Sequence, residues 1–355
     1  MTAVSKDHDS TARLSATDDS HWWVSLSDEE LLNVRFCDLN LSITGSILEQ
    51  RISRVLEELR AVDLDFKPHF WLSDEWFCAD GIPGVAIPFY LAHPRLERLE
   101  RNQLLEVEGG DEEWCLKILR HELGHAIENA FRLRLRKERK AIFGKSSEVY
   151  PEYYSPRPYS KSFVLHLDRW YAQSHPDEDF AETFAVWLTP NSQWQERYEG
   201  WPALKKLLYM ERLMVSLKGS QPPVVNPKQV DPVSKLRRTL REHYRRRKVK
   251  YGQEHPSFYD KDLRGLFSAD AEYSKNVTAA SLIRRRRRLI RGTVSRWTGA
   301  YQYTIDKVLD AIMHRCSELN LRITSDEEES LKQFTVLLTV QTMNYLHSGR
   351  HRVAL

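Results

Sequence analysis

The stretch LRHELGHAIE, residues 119–128, restricts the possible fold more than any other part of the chain. It places His121, Glu122 and His125 in an H-E-x-x-H array. Residues four apart on an α-helix differ by only about 40° around its axis, so the two imidazoles project side by side and can grip one metal ion. Glu122 then sits beside the first ligand, within reach of a metal-bound water. Trp114, Leu116, Ile118, Leu119, Leu123, Ala126, Ile127 and Ala130 give this region a broad apolar face, which predicts a helix over 112–136. Gly124, between the histidines, would permit close packing. An ordinary amphipathic helix would instead leave both histidines in solvent.

Zn²⁺ suits two imidazoles plus a carboxylate, with a fourth position open. The metzincin continuation needs Gly at 128 and His at 131, and is excluded by Glu128 and Phe131. The segment HPDEDFAETFAVWL, residues 175–188, offers the missing carboxylate. Glu178 and Glu182 are again four apart on an expected helix. One carboxylate can bind the metal, and the other can accept the free ring N–H of a ligand histidine and fix its tautomer. Acidic first turns also suit the helix dipole, so a plain surface helix would look similar. Asp179 could replace Glu178 if the helix were rotated. His166, Asp168 and His175 lie close by in sequence, and His175, just before Pro176, fits a residue that opens a helix.

HELGH followed some fifty residues later by EDFAET resembles the gluzincin metallopeptidases. The pattern looks especially like a bacterial group of zinc-binding metallopeptidases, and more distantly like the catalytic domain of anthrax lethal factor. The resemblance covers about residues 30–190. It implies a zincin-like fold, with Glu178 as the third zinc ligand and Glu182 as the acid that supports a ligand histidine. It also implies that Tyr171, seven residues before Glu178 in RWYAQSHPDE, points at the reacting carbonyl. The implied function is peptide-bond hydrolysis through a water on one zinc ion, with Glu122 as general base and a peptide or protein as substrate.

The chain around this motif has 355 residues, 41% of them apolar, which is enough for a substantial core. Apolar alternation suggests strands at 33–41, 68–72 and 84–91, the last an edge strand because Pro88 cannot donate a ladder hydrogen bond. Such an edge could pair with an extended substrate. Helices are expected over 47–62, with Thr44 or Ser46 as cap, and over 177–188 and 202–217. Residues 143–162 hold Tyr150, Tyr153, Tyr154 and Tyr159 in a loop-like context that could cover a cleft. Together these give an α+β fold: a metallopeptidase domain with a small mixed sheet and active-site helices, then an all-α basic domain. The expected boundaries are a disordered tail at 1–21, the catalytic domain at 22–218, a proline-rich linker at 219–233 and the basic helical domain at 234–350.

Net charge is only +3, but the basic residues crowd into 235–251 and into IRRRRRLIRG, residues 283–292. Arg284–Arg288 could meet an acidic partner: nucleic acid, anionic lipid or an acidic protein. They could equally pair with the acidic stretch 326–329. A second function follows, an inactive zincin-like scaffold that binds nucleic acid or protein through its arginines. No apolar run is long enough to span a membrane, and Cys37, Cys78, Cys115 and Cys316 form no close pair, so a reducing cytoplasm is expected.

Overall fold

The computed structural model describes residues 21–151, 153–154, 157, 160–251, 260–347 and 353–354. The expected tail lies outside the described residues except for His21, and so does Tyr159.

The N-terminal region mixes helices with small sheets. Its first helix, α1 (Asp28–Leu31), is closed by a capping box between Ser27 and Glu30. α2 (Ile47–Ala61) begins at Ser46, whose side chain accepts from Leu48 N, and buries the expected stripe Leu48, Ile52, Val55 and Leu59. β1 (His69–Ser73) and β2 (Gly84–Pro88) pair in parallel, with His69 opposite Gly84 and Ser73 opposite Pro88. Then come α3 (Pro94–Leu104), α4 (Glu112–Ala130), α5 (Lys137–Phe143), the two-residue β3 (Tyr153–Tyr154) and α6 (Pro176–Leu188). α7 (Trp194–Arg197), α8 (Leu204–Leu217) and α9 (Leu240–Tyr251) follow.

The C-terminal region is almost all helical: α10 (Asp260–Leu266), α11 (Ala279–Thr298), α12 (Gln302–Glu318) and α13 (Glu327–His347). Its only sheet partners among the described residues are short. β4 (Phe267–Ser268) pairs with β5 (Arg322–Ile323), and β6 (Val353–Ala354) pairs with β3, both antiparallel. α11 and α12 are separate helices because Gly299 adopts the left-handed conformation (φ 70°) and ends α11.

One hydrophobic cluster runs from Trp23 to Tyr244 and includes Leu240 of α9. A second gathers Leu263 to Leu338. The proline-rich stretch after α8 is fastened to the first body: Val224 N donates to Ala130 O (3.1 Å), Trp71 Nε1 to Val230 O (2.9 Å) and Ser73 Oγ to Asp231 O (2.7 Å).

Two strand expectations change. Residues 33–41 hold a 3-10 turn at Phe36–Asp38. Phe36 N and Cys37 N donate to Arg238 O and Leu236 O, so a segment 200 residues away satisfies this backbone. The alternation there reflects burial of Phe36 and Leu39, not a ladder. β2 is buried throughout, and its outer edge is already bridged by Phe77, with Ala86 N donating to Phe77 O (2.9 Å). A peptide therefore finds that edge covered by the chain itself.

The five arginines sit on α11, whose buried stripe is Leu282, Ile283, Ile290 and Val294. Arg285 pairs with Glu327 (2.7 Å), and Arg287 with Asp306 and Asp310 (2.6 Å each). Arg284, Arg286 and Arg288 are exposed. No helix among the described residues is long and apolar enough to cross a membrane.

Candidate metal centre

Two helices build the centre. α4 starts at Asp111, whose carboxylate accepts from Trp114 N (2.8 Å). α6 starts with His175 as cap, its Nδ1 accepting from Asp177 N (3.1 Å), and with Pro176 in the first helical position. Asp177, Glu178 and Asp179 fill the positive first turn of α6. The helices touch backbone to backbone at Gly124, where an added Cβ would lie 2.8 Å from Ala181 Cα. The glycine between the histidines thus brings the two helices close enough to share one site.

His121, His125 and Glu178 converge, all buried. His121 Nε2 and His125 Nε2 are 3.2 Å apart, and Glu178 Oε2 lies 3.0 Å from the first and 3.1 Å from the second. A tetrahedral zinc with bonds of about 2.0–2.1 Å sets its donors about 3.3 Å apart, so this triangle fits the ion. His121 Nδ1 is 2.8 Å from Glu182 Oε1, where it must donate, so Nε2 is the nitrogen that faces the triangle. The other oxygen of Glu182 accepts from Leu167 N (2.9 Å), so both ends of that carboxylate are held. Burial pushes His121 down, but Glu178 and Glu182 together lift its pKa well above the usual value. Burial works to raise Glu178, yet His125 and His121 hold it well below the carboxylate range.

Glu122 lines the same cavity of about 300 Å³. Its Oε2 is buried and takes no hydrogen bond from the described residues. Burial raises its pKa, with the two histidines opposing. An unpaired buried carboxylate oxygen is costly unless something arrives to use it. Tyr171 also lines the cavity, its ring 5.5 Å from that of His121, and burial beside Glu178 and Glu122 keeps its phenol protonated.

The other sequence candidates lie elsewhere. Asp179 faces away and binds Lys206 Nζ (2.7 Å), and burial lifts its pKa to about 7 against the pull of Lys206. His175 Nε2 donates to Glu148 O and His166 Nε2 to Lys117 O.

Other side chains at the centre gave no individual signal in the sequence. Tyr150 donates its hydroxyl to Glu178 Oε1 (2.8 Å) and stacks on His175 with ring centres 3.7 Å apart. Only its place in a tyrosine-rich segment pointed towards it. Arg139 of α5 is fully buried and binds Glu128 Oε1 (2.7 Å) of α4 and Asp177 Oδ1 (2.5 Å) of α6. It also donates to Gly144 O and Pro176 O, so it ties the end of one ligand helix to the start of the other. In the sequence it belongs to RLRLRKERK, which reads as solvated charge.

Residues 114–196 match a protein family described as "Putative zinc-binding metallo-peptidase". The matched stretch takes in both histidines, Glu122, Tyr171 and Glu178. No curated protein and no solved structure matches the chain.

Proposed function

We propose a division of labour within what the metal triad and the family match identify as a zinc metallopeptidase. His121, His125 and Glu178 hold one zinc ion per chain. Zinc held there supplies the Lewis acidity that polarises a scissile carbonyl and acidifies a water. Glu122 takes the proton of the attacking water on its free Oε2 and passes it to the leaving amine. The Tyr171 hydroxyl donates to the carbonyl oxygen as negative charge develops on it. Glu182 fixes the tautomer of His121, and Tyr150 steadies the outer oxygen of Glu178. The observation that carries this reading is the donor triangle of 3.0–3.2 Å edges, with a Glu122 oxygen beside it that is unpaired among the described residues.

Elemental analysis of the purified protein should give about one zinc per chain, and His125→Ala should give essentially none. Equal zinc in both would remove the triad assignment. Glu122→Gln should keep its zinc and lose peptide hydrolysis by about 10²–10⁴-fold. Wild-type protein that holds zinc but cleaves no peptide would favour an inactive scaffold.

By role, residues 22–218 carry the chemistry, 219–233 connect, and within 234–350 the arginine run Arg284–Arg288 meets partners. Arg284, Arg286 and Arg288 form an exposed cationic strip suited to an acidic partner: nucleic acid, anionic lipid or protein. Binding to any of these should weaken with salt and with neutralisation of Arg284–Arg288. Four unpaired cysteines suit a reducing cytoplasm.

A further inference from the structure

Arg134 stands in the wall of the metal cleft, alongside Asp80 and Tyr150. Its Nε edge is held from inside the protein, 3.1 Å from Glu128 Oε2 and 3.4 Å from Asp177 Oδ2. Arg139 neutralises the same two carboxylates from their other side. Two arginines and two acids therefore balance without outside help, and all but Arg134 are buried. Asp80 adds a fifth charge. Its carboxylate meets Arg134 Nη1, yet its side chain is 87% exposed. Pairs made by so exposed a carboxylate are weak, because water and salt screen them.

The cleft thus presents a guanidinium whose orientation is set by buried acids and whose outward N–H groups, among the described residues, meet only a replaceable partner. We propose that Arg134 determines specificity by receiving a carboxylate of the peptide substrate, which displaces Asp80. This rests on the metallopeptidase reading of the same cleft. The exchange leaves the local charge unchanged, so binding does not bury a new uncompensated ion. It also replaces a pair open to water with one covered by the bound peptide, where a charge-assisted hydrogen bond is stronger. The carboxylate has two sources. An acidic side chain near the scissile bond would give a cleft selective for acidic peptides, and a free C-terminus would give one that trims chain ends.

The test uses the zinc-loaded full chain carrying Glu122→Gln, which should bind peptides without cutting them. Three sets of equal-length peptides are compared by calorimetry. One has a single Glu moved through successive positions and an amidated end. The second has Gln at those positions, also amidated. The third has Gln and a free C-terminus. Roughly tenfold tighter binding of the first or third set over the second is expected, as for a charge-assisted contact. Tighter binding of the first set alone identifies the side chain, and of the third alone the C-terminus. Adding Asp80→Asn, an exposed change that should leave zinc content unaltered, should widen the preference by removing the resident competitor. No preference, or a preference that Asp80→Asn leaves unchanged, overturns the role of Arg134. Cleavage of the Gln peptides by the wild-type enzyme tests the peptidase reading separately. Cleavage without carboxylate preference keeps that reading and discards this one, while no binding of any peptide discards both.

Discussion

α4 and α11 are both long helices dense in charged residues, and they dispose of that charge in opposite directions. α4 turns Arg120, His121, Glu122, His125 and Glu128 inward. Most of these meet a partner from another element: Glu58 of α2 grips Arg120 through two bonds of 2.7 Å, Glu182 holds His121, and Arg139 holds Glu128. α11 turns Arg284, Arg286 and Arg288 to water, and Arg285 shares an exposed pair with Glu327. Desolvating a charge is affordable only where partners are supplied, so the buried charges of α4 imply a surrounding structure built to receive them. Glu122, with one oxygen unpaired among the described residues, is the exception, and it sits in the cleft.

The largest stability effect should separate the two regions at once. Arg139→Met would leave the two buried acids Glu128 and Asp177 sharing the single charge of Arg134 and should lower unfolding stability by about 3–5 kcal/mol. Arg287→Met leaves Asp306 and Asp310 access to water and should cost about 1 kcal/mol. Chemical denaturation of both variants measures this, and equal losses would break the contrast.

A smaller effect tests orientation rather than folding. Glu182→Ala should weaken zinc affinity by about 10–100-fold in a chelator competition, because His121 loses the acceptor that fixes its tautomer. Glu327→Ala should leave zinc affinity unchanged. An unaltered affinity in Glu182→Ala would mean that the packing of the ring orients His121 without it.

Two glycines sharpen the comparison with effects of opposite sign. Gly124→Ala would drive a Cβ into Ala181 Cα and should destabilise by about 1–3 kcal/mol. A Cβ at Gly292 of α11 meets nothing within 4 Å, so Gly292→Ala should stabilise by about 0.4–1 kcal/mol. Thermal melts that both shift upward would show that helix propensity, not packing, governs both sites.

The smallest effect belongs to the exposed pair. A double-mutant cycle on Arg285→Ala and Glu327→Ala should give a coupling of about 0–1 kcal/mol that fades with salt. A salt-insensitive coupling well above that would place this end of α11 among the structural ion pairs.

Much of the site was legible in the sequence because its logic is helical. His121 and His125, and Glu178 and Glu182, are set by the four-residue period, and Gly124 stood out because close packing needs it. The acids of α6 were ambiguous, since an acidic first turn serves the helix dipole whether or not a metal is bound. Tyr150 and Arg139 were not legible, because nothing local distinguishes them from loop and surface residues. Residues 33–41 misled for a related reason: alternating burial arose from a turn docked on residues 236–238 and not from a neighbouring strand.

Local sequence alone determined the helical frame, its caps and which pairs of donors share a helix face, because those follow from short-range geometry. Tertiary structure decided which donors meet. It set Glu178 rather than Asp179 against the histidines, and Lys206 against Asp179. It also buried an arginine from a charged run between two ligand helices and covered the edge of β2 with Phe77. Those outcomes depend on contacts between residues dozens of positions apart. The free energy of a buried charge or an open strand edge is set by what the rest of the fold brings to it, and the charge or edge itself does not specify that.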